Sequence, residues 1–425
     1  MALDVSKFPT WTCFTVDMKS FYSSVECVLR GIDPLEAYLA VVGDLSRPGS
    51  VVLAASPKMK KIHGIRTGSR HYEIPRAPHI HIVEARMGTY LEYSMHVPRI
   101  LNRFVPLENI FVYSVDEAIC VLDHSLFGDK WATVRAIQTA IKMELGLPSA
   151  IGLGDNYLQS KLALDLLSKK DEAAGYIAGV SYADFGEKLW GFPVKEIWGI
   201  GRRIEKRLNR MGIYTLGDLA NTSIERLKRQ FGNAIGSQLY YHAWGVDLTN
   251  PYHKPELNRE ALAQKGYSSG ITLYSNYETE DVFTVMLEQA EEAARRMRAV
   301  KMAASTISLS IGYSDDDGGG GFSRSRTIAT PTNITLKIYE VLKQLFKENH
   351  TGRLVRHVHV GLTKLSDDET YQLDLFEDNT KERELGYVMD KIRNKYGTTA
   401  VVRARSLTAG GTVLPRRGFI GGHKA

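Results

Sequence analysis

The feature that most constrains the fold is an alternation of strand-like and helical segments in roughly the first 170 residues. The segment Trp11 to Val16 is apolar and β-prone, and Phe21, Val25 and Val28 follow it at helical spacing. This alternation predicts a mixed sheet with helices packed on one face, that is, one α/β domain. Its further elements are predicted as helices over 87–104, 130–145 and 157–167 and as strands over 110–114, 118–122 and 150–153.

Three other regions have patterns of their own. Two β-prone runs, 38–42 and 51–55, are joined by a connection rich in turn formers and predict a small hairpin subdomain. Short helices with glycine breaks are predicted over 182–244, and a polar stretch with two prolines follows as a linker near residue 250. Beyond it, a βαββαβ order predicts a second, independent sheet domain, with strands over 266–273, 306–313, 322–329 and 354–362 and helices over 279–300 and 332–347.

The composition is that of a folded chain. With 425 residues, 44% of them hydrophobic and 24% charged, it is expected to fold as roughly three or four units. No apolar run approaches the roughly 18 residues of a membrane helix, and the first residues do not read as a leader, so we expect a cytoplasmic protein. Three scattered cysteines predict neither disulfide nor zinc site. The net charge of +6 is mild, but nine basic residues against four acidic ones between Gly191 and Gly232 concentrate positive charge locally.

Acidic side chains stand at two places where predicted strands end. Asp17 follows the first strand, and Asp116 and Glu117 occupy the tight connection between two later strands. Nucleotidyl transfer uses two divalent ions about 3.5 to 4 Å apart, and magnesium prefers carboxylate oxygens. The three residues are therefore candidate metal ligands. On spacing alone, two unrelated turn acids explain the pattern equally well.

The sequence around these acids is more specific than their spacing. Residues 17–26, DMKSFYSSVE, and residues 114–118, SVDEA, resemble the two catalytic motifs of the Y-family translesion DNA polymerases. The resemblance extends over about residues 11–376 and is to the UmuC-like (ImpB/MucB/SamB) bacterial branch, including its Gram-positive relatives. It implies error-prone, template-directed DNA synthesis in SOS damage tolerance and repair. Deoxynucleoside triphosphates would be added to the 3′ end of primer-template DNA, with two Mg²⁺ ions held by Asp17, Asp116, Glu117 and the carbonyl of Met18.

The resemblance also implies a nucleotide site. The ring of Tyr22 would lie under the sugar and exclude a 2′-hydroxyl, although a core tyrosine on an amphipathic helix is the alternative reading of this residue alone. Many relatives have a tyrosine and an arginine where this chain has Lys58 and Lys61, so the individual phosphate contacts are open, and any of these lysines could be plain surface charge. The nucleotide-binding residues implied are Phe21, Tyr22, Ser56, Lys58, Lys61 and Lys161.

Two further motifs indicate macromolecular partners. Residues 197–213 resemble a helix-hairpin-helix element, in which glycines let backbone N–H groups approach a DNA phosphate, although a structural glycine turn would look similar. Its DNA-binding residues would be Gly199, Gly201, Arg202, Arg203 and Lys206. The pentapeptide 372–376, QLDLF, resembles the bacterial sliding-clamp-binding peptide, although an element end packed in its own domain is the alternative. Clamp contacts would come from Gln372, Leu373, Leu375 and Phe376, and a clamp-tethered monomer is expected.

The fold implied is an α+β multidomain right-hand polymerase. It has a ferredoxin-like palm, small fingers, a helical thumb with the helix-hairpin-helix, and a βαββαβ little finger. A non-catalytic DNA-binding accessory and a two-metal nuclease or nucleotide cyclase are the other hypotheses, and the intact acids and Tyr22 favour the polymerase. The expected boundaries are palm 1–22 and 87–172, fingers 23–86, thumb 173–249, linker 250–262, little finger 263–366 and a tail over 367–425 with the clamp-binding peptide.

Overall fold

A computed structural model describes residues 3–122, 128–249, 264–368 and 378–424 of the chain. They form two compact units, the first comprising residues up to 254 together with 420–425, and the second comprising 255–419. The boundary predicted near residue 250 stays a prediction, and the predicted linker, 250–262, lies outside the described residues. Within the described ranges, no helix is both long and apolar enough to cross a membrane.

The described residues of the first unit form the following strands and helices. Its strands are β1 (Cys13–Met18), β2 (Tyr38–Val42), β3 (Val52–Ala55), β4 (Ile80–Glu84), β5 (Ile110–Val112), β6 (Glu117–Val121), β7 (Ser149–Gly154) and β8 (Ile177–Val180). Its helices are α1 (Phe21–Leu29), α2 (Pro57–His63), α3 (Met87–Leu101), α4 (Lys130–Leu145), α5 (Tyr157–Leu162), α6 (Phe185–Leu189), α7 (Arg202–Arg210), α8 (Leu216–Ala220), α9 (Ile224–Phe231) and α10 (Asn233–Ala243).

The palm sheet has the strand order β5-β6-β1-β7-β8, with β1 antiparallel to both neighbours and β7 parallel to β8. Apolar residues of β1 such as Phe14 and Val16 pack with α1, α3 and α4 in one core. The predicted alternation is confirmed, with two shifts. Asp17 lies within β1 rather than after it, and the helix predicted over 157–167 changes from α5 to a π-turn over Ala163–Leu167.

Glycine on β7 brings α5 close to the sheet. A Cβ at Gly152 would lie 2.2 Å from the carbonyl oxygen of Ser160 and 2.3 Å from the amide nitrogen of Leu164. Such contacts are too short for any side chain, so only glycine permits this packing. The consequence is that α5 and the π-turn are held directly against the strand next to β1.

The fingers and thumb build on short elements. The predicted hairpin is confirmed as β2 and β3, and β4 adds a third strand parallel to β2, with the order β3-β2-β4. The thumb helices enclose a separate core that includes Leu208, Leu216 and Leu227. Helix α8 begins with a capping box formed by Thr215 and Asp218, which satisfies backbone N–H groups at its first turn.

The second unit has the predicted βαββαβ order. Its strands β9 (Gly266–Tyr277), β10 (Met302–Tyr313), β11 (Gly321–Thr332) and β12 (Val355–Asp367) form an antiparallel sheet of order β11-β10-β12-β9. Helices α11 (Thr279–Arg298) and α12 (Thr335–Asn349) pack against it through a core containing Met286, Leu309 and Val360. This is a compact sheet with its helices on one face, as the sequence predicts.

The described residues 378–424 of the expected tail, 367–425, are instead folded. Helix α13 (Thr380–Tyr396) and the residues to 419 belong to the second unit, and 420–425 belong to the first. The reason lies in α11, which carries buried charges that need partners. Arg298 is paired with Asp390 on α13, at 2.7 Å, and Glu288 accepts from the hydroxyl of Thr412, at 2.6 Å. The short strands β13 (Phe419–Ile420) and β14 (His423–Lys424) end the described chain.

Candidate active site

The three predicted metal ligands meet at one end of the β1–β6 pair. In the register of this pair Asp17 lies opposite Glu117, and the amide of Met18 donates to the carbonyl of Asp116 at 2.9 Å. The tight turn predicted between β5 and β6 is present, because the amides of Tyr113 and Ser114 both donate to the carbonyl of Glu117. Two segments almost 100 residues apart in sequence are thus joined by strand pairing.

The carboxylates differ in environment. Burial raises the pKa of Asp17 to about 6, an effect reinforced by Asp116 and Glu117 and opposed by Lys169, whose Nζ lies 3.0 Å from Asp17 Oδ2. Glu117 Oε2 accepts from Lys161 at 2.7 Å, whereas Glu117 Oε1 is buried and has no hydrogen-bond partner. Asp116 accepts from the hydroxyl of Ser114 at 2.6 Å.

The donor atoms at this site can be compared with the oxygen ligands that magnesium prefers. As the side chains are placed, no three acidic, histidine or cysteine groups of the described ranges form a metal cluster. Two of the acids are instead paired with lysines, Asp17 with Lys169 and Glu117 with Lys161. The donor set is nevertheless suited to a hard cation, because it consists of carboxylate oxygens, and one of them is buried and unpartnered. Met18, predicted to add a carbonyl ligand, lines the same cavity as Asp17 and Asp116.

The carboxylates open onto a cavity of about 680 Å³ between the palm and the fingers. Phe21 and Tyr22 line it from α1, Lys60 and Lys61 from α2, and Lys169 from the turn after the π-helix. A space of this size, with acids on one wall and basic groups on the others, fits a ligand that carries both a metal and several negative charges.

Three lysines converge on the cavity from different elements. Lys60 donates to the hydroxyl of Ser20 at 2.7 Å, and Lys19 lies 3.5 Å from the ring centroid of Tyr176. Burial lowers the pKa of both lysines below the ordinary value. Burial also opposes the charge of Lys169, but Asp17 and Asp165 outweigh it and raise the pKa of this lysine. The wall facing the carboxylates is therefore positively charged.

Tyr22 lies on a supported aromatic surface. Its ring stacks on that of Tyr90, with a centroid distance of 4.5 Å and an interplanar angle of 14°. The hydroxyl of Tyr90 donates to Glu26 at 2.8 Å, and Arg86 donates twice to the same carboxylate. Burial opposes the charge of Glu26, but Arg86, Arg30 and Tyr90 lower its pKa. The ring of Tyr22 is thus fixed against a buried, ionised network.

The structure places several predicted nucleotide residues away from the cavity. Ser56 is buried as the N-cap of α2, and its hydroxyl donates to the carbonyl of Ala37 at 2.6 Å. Lys58 pairs with Glu36 at 2.6 Å. Lys161 is buried between Glu117 and Asp165 and does not line the cavity. Of the predicted set, Phe21, Tyr22 and Lys61 line it, and the roles predicted for all six residues stay predictions.

Lys19, Lys60 and Lys169 are cavity lysines that the sequence did not single out as site residues. Helix α2 carries three lysines, of which Lys60 and Lys61 line the cavity and Lys58 pairs with Glu36 instead. Lys169 stands eight residues after Lys161, with Asp165 midway. Residues four apart share a helix face, so this Lys-Asp-Lys spacing is the signal that could have found it.

The glycines of the predicted helix-hairpin-helix stand just before α7. Gly199 has φ of +90°, and Gly201 is the N-cap of α7, with open space where either Cβ would stand. Arg202, Arg203 and Lys206 are exposed, while Leu208 anchors α7 in the thumb core. Contact with DNA there stays a prediction. The clamp-binding pentapeptide, Gln372 to Phe376, lies outside the described residues.

Comparison with known proteins identifies the family of the chain. Residues 16–165 match the impB/mucB/samB family, residues 264–375 match its C-terminal domain, and residues 195–247 match the thumb domain of DNA polymerase-iota. The chain is 47% identical to UvrX of Bacillus subtilis strain 168, named a UV-damage repair protein, over 100% of both chains. It is 36% identical to DNA polymerase IV 2 of the same organism, over 96% of this chain and 98% of the relative.

A solved structure shares the fold. A Y-family DNA polymerase chimera of Dbh and Dpo4 superposes with a TM-score of 0.64 and 21% identity, over 83% of this chain and 98% of the other. The right-hand fold predicted from the sequence is confirmed. From the family matches and the full-length relatives, the chain belongs to the impB/mucB/samB family, in the UmuC-like, Gram-positive branch of the Y-family translesion DNA polymerases.

Proposed function

We propose that this protein is a DNA-directed DNA polymerase that extends a primer past damaged template by two-magnesium nucleotidyl transfer. The observation that carries the proposal is that Asp17 and Asp116 line a cavity of about 680 Å³ that lysines also line, with Glu117 opposite Asp17 in the strand register. Membership of a translesion polymerase family supports it independently.

Asp17, Asp116 and Glu117 would hold the two Mg²⁺ ions, with the Met18 carbonyl completing one coordination shell. When bound, the ions would lower the pKa of the primer hydroxyl and neutralise charge on the departing pyrophosphate. The unpartnered Oε1 of Glu117 is available as a ligand without breaking any contact. Asp17 must exchange its pairing with Lys169 for the metal.

Lys60 and Lys169 are the groups that we assign to the triphosphate, with Lys61 beside them. Both line the cavity, and Lys169 is already drawn towards the acids by Asp17. Cationic side chains placed before the reaction stabilise the charge that develops on the phosphates. Lys161 would instead hold Glu117 in place, since it is buried against that carboxylate.

Tyr22 would act as the sugar gate. The stacking of its ring on Tyr90 keeps it in one orientation at the cavity wall. A 2′-hydroxyl on the incoming nucleotide would then meet a ring that cannot move aside. The proposed discrimination is steric, so shortening the side chain should admit ribonucleotides.

The thumb and the second unit would hold the DNA. The exposed cations at the start of α7 would bind backbone phosphates without reading sequence, and the sheet of the second unit would grip the duplex. The pentapeptide over 372–376 would bind the bacterial sliding clamp, with the protein acting as a monomer. These partner assignments, and a cytoplasmic location, rest on the sequence resemblance.

Primer extension tests the proposal. A labelled primer is annealed to an undamaged or an abasic template, and wild type is compared with Asp116→Asn, which keeps the side-chain shape but removes the charge. Asp315→Asn, in an exposed turn of the second unit, is the matched control. We expect magnesium-dependent extension by wild type and the control and a loss of at least about 1000-fold in Asp116→Asn. Shortening of the primer, or no extension by wild type, would contradict the proposal.

A further inference from the structure

An alternating row of charges connects two of the proposed metal ligands. Glu117 pairs with Lys161 at 2.7 Å, Lys161 with Asp165 at 3.0 Å, Asp165 with Lys169 at 2.9 Å, and Lys169 with Asp17 at 3.0 Å. Asp165 is the centre of this row and the one acid in it that does not line the cavity wall or stand on β1 or β6. It therefore stands apart from the proposed metal ligands.

We infer that Asp165 is a positioning residue that keeps Lys161 and Lys169 at the active site when Asp17 and Glu117 turn to metal. The inference rests on the proposed function, because it concerns the same site. Each lysine now has two acid partners, one at the strand end and one at Asp165. Once the strand-end acids are occupied by cations, Asp165 is the partner that remains.

Buried neighbours and hydrogen bonds to the sheet hold the backbone around Asp165 in place. The residue lies in the π-turn directly after α5, with Leu164 and Leu166 buried on either side of it in sequence. The hydroxyl of Ser168 donates to the carbonyl of Ile151 on β7 at 2.8 Å and accepts from the amide of Ala178 on β8 at 3.0 Å. Together with the close approach at Gly152, these contacts hold the turn to the sheet.

Electrostatics favour an acid between Lys161 and Lys169. Lys161 and Lys169 would repel each other and any nearby divalent cation if no acid stood between them. Asp165 places one negative charge within 3.0 Å of both amines, so both can stay in place next to bound metal. Lys169 would then face the triphosphate from the cavity wall. Lys161 would continue to orient Glu117.

Removing the charge of Asp165 should weaken nucleotide binding more than it slows chemistry. The pairs are partly exposed, so we expect Asp165→Asn to raise the KM for the correct deoxynucleotide on the order of five- to tenfold, with kcat lowered less than about threefold. Asp165→Glu keeps the charge and should recover most of the affinity. The matched control is Asp184→Asn, which breaks another four-residue Asp-Lys pair, Asp184 with Lys188, on α6.

A binding measurement separates positioning from loss of structure. The affinity of the correct deoxynucleotide is measured by fluorescence on a dideoxy-terminated primer-template with Ca²⁺, so that no turnover occurs, and thermal unfolding is followed in parallel. We expect weaker binding in Asp165→Asn at a midpoint within a few degrees of wild type. In Lys169→Met, a second loss of charge at residue 165 should have less effect than it has in wild type, because one of the two contacts of Asp165 is already absent.

The outcomes distinguish this inference from the proposed function. If wild type neither extends primers nor binds nucleotide, the proposed function fails and the inference fails with it. If wild type extends primers but Asp165→Asn binds nucleotide as tightly as wild type, the positioning role alone is wrong. Independent, additive losses from the substitutions at 165 and 169 would also overturn it.

Discussion

Replacement of Tyr90 should loosen the sugar gate without touching the nucleotide. Tyr90 is 1% exposed, stacks on Tyr22 at 4.5 Å, and is fixed from behind by its hydrogen bond to Glu26. A stacked aromatic pair contributes about 0.5–1.5 kcal/mol beyond the area that it buries. In Tyr90→Leu this support is lost, so displacement of the Tyr22 ring by a 2′-hydroxyl becomes easier by about 1 kcal/mol, or about fivefold in rate.

The assay is the ratio of kcat/KM for a deoxynucleotide to that for the matching ribonucleotide in single-nucleotide extension. We expect this ratio to fall about fivefold in Tyr90→Leu and far more in Tyr22→Ala. Tyr90→Phe is the control, because it keeps the stacked ring and removes only the hydroxyl. It should lower the free energy of unfolding by about 1.5–3 kcal/mol, the usual contribution of a hydrogen bond to a charged group, and leave the ratio within about twofold of wild type.

Two results would refute this reasoning. If Tyr90→Leu keeps the wild-type ratio while Tyr22→Ala loses it, Tyr22 is held by something other than the stack. If Tyr90→Phe lowers the ratio as much as Tyr90→Leu, the hydrogen bond to Glu26, not the ring, carries the effect.

Three further predictions concern Asp17, Asp390 and Arg202. Burial raises the pKa of Asp17 to about 6 from 3.8, so ionisation of this carboxyl lowers stability: the loss is absent below 3.8, grows between 3.8 and about 6, and is complete above about 6. Asp17→Asn should therefore raise the melting temperature at pH 8 by a few degrees, lose the gain at pH 4, and abolish extension, as thermal unfolding at the two pH values and primer extension would show. Asp390→Ala leaves Arg298, whose side chain is 1% exposed, without its closest acid and should cost about 3 kcal/mol of unfolding free energy, with Asp315→Asn near zero in the same denaturation experiment. Arg202→Ala should weaken binding equally for unrelated DNA sequences and reduce the slope of log affinity against log salt by about one, which a fluorescence titration at several salt concentrations would show.

The sequence allowed the fold to be predicted where the signal is local. Strand and helix periodicity located nearly all the palm elements, and the two acidic motifs stand at strand ends, which pairing then joins. Lys60 and Lys169 could not be selected in the same way. The position of Lys60 depends on how α2 packs, and that of Lys169 depends on the π-turn after α5. The Lys-Asp-Lys spacing indicates a shared helix face, but no local pattern shows that this face reaches the carboxylates.

The packing of the C-terminal segment is a second feature that the sequence did not predict. Its basic character reads as a solvated tail when taken alone, because exposure is the usual state of Lys and Arg. Its arginines are in fact partners for acids on α11. Arg403 and Arg393 both contact Glu291, which is itself buried in the second unit. Charge complementarity between segments more than 100 residues apart has no local signal, so the sequence could not predict this packing.

The lysine pairing around the acids bears on how metal and nucleotide binding are coupled. Three carboxylates at one strand end repel one another, and Lys161 and Lys169 relieve part of that cost by occupying two of them. Lys161 contacts only Oε2 of Glu117, so Glu117 Oε1 stays unpartnered and attraction for divalent cations remains. Coordination of Asp17 would free the amine of Lys169 at the cavity wall, where phosphates would lie. Metal binding would thus supply a cation for the triphosphate, and each ligand should raise the affinity for the other by the same factor.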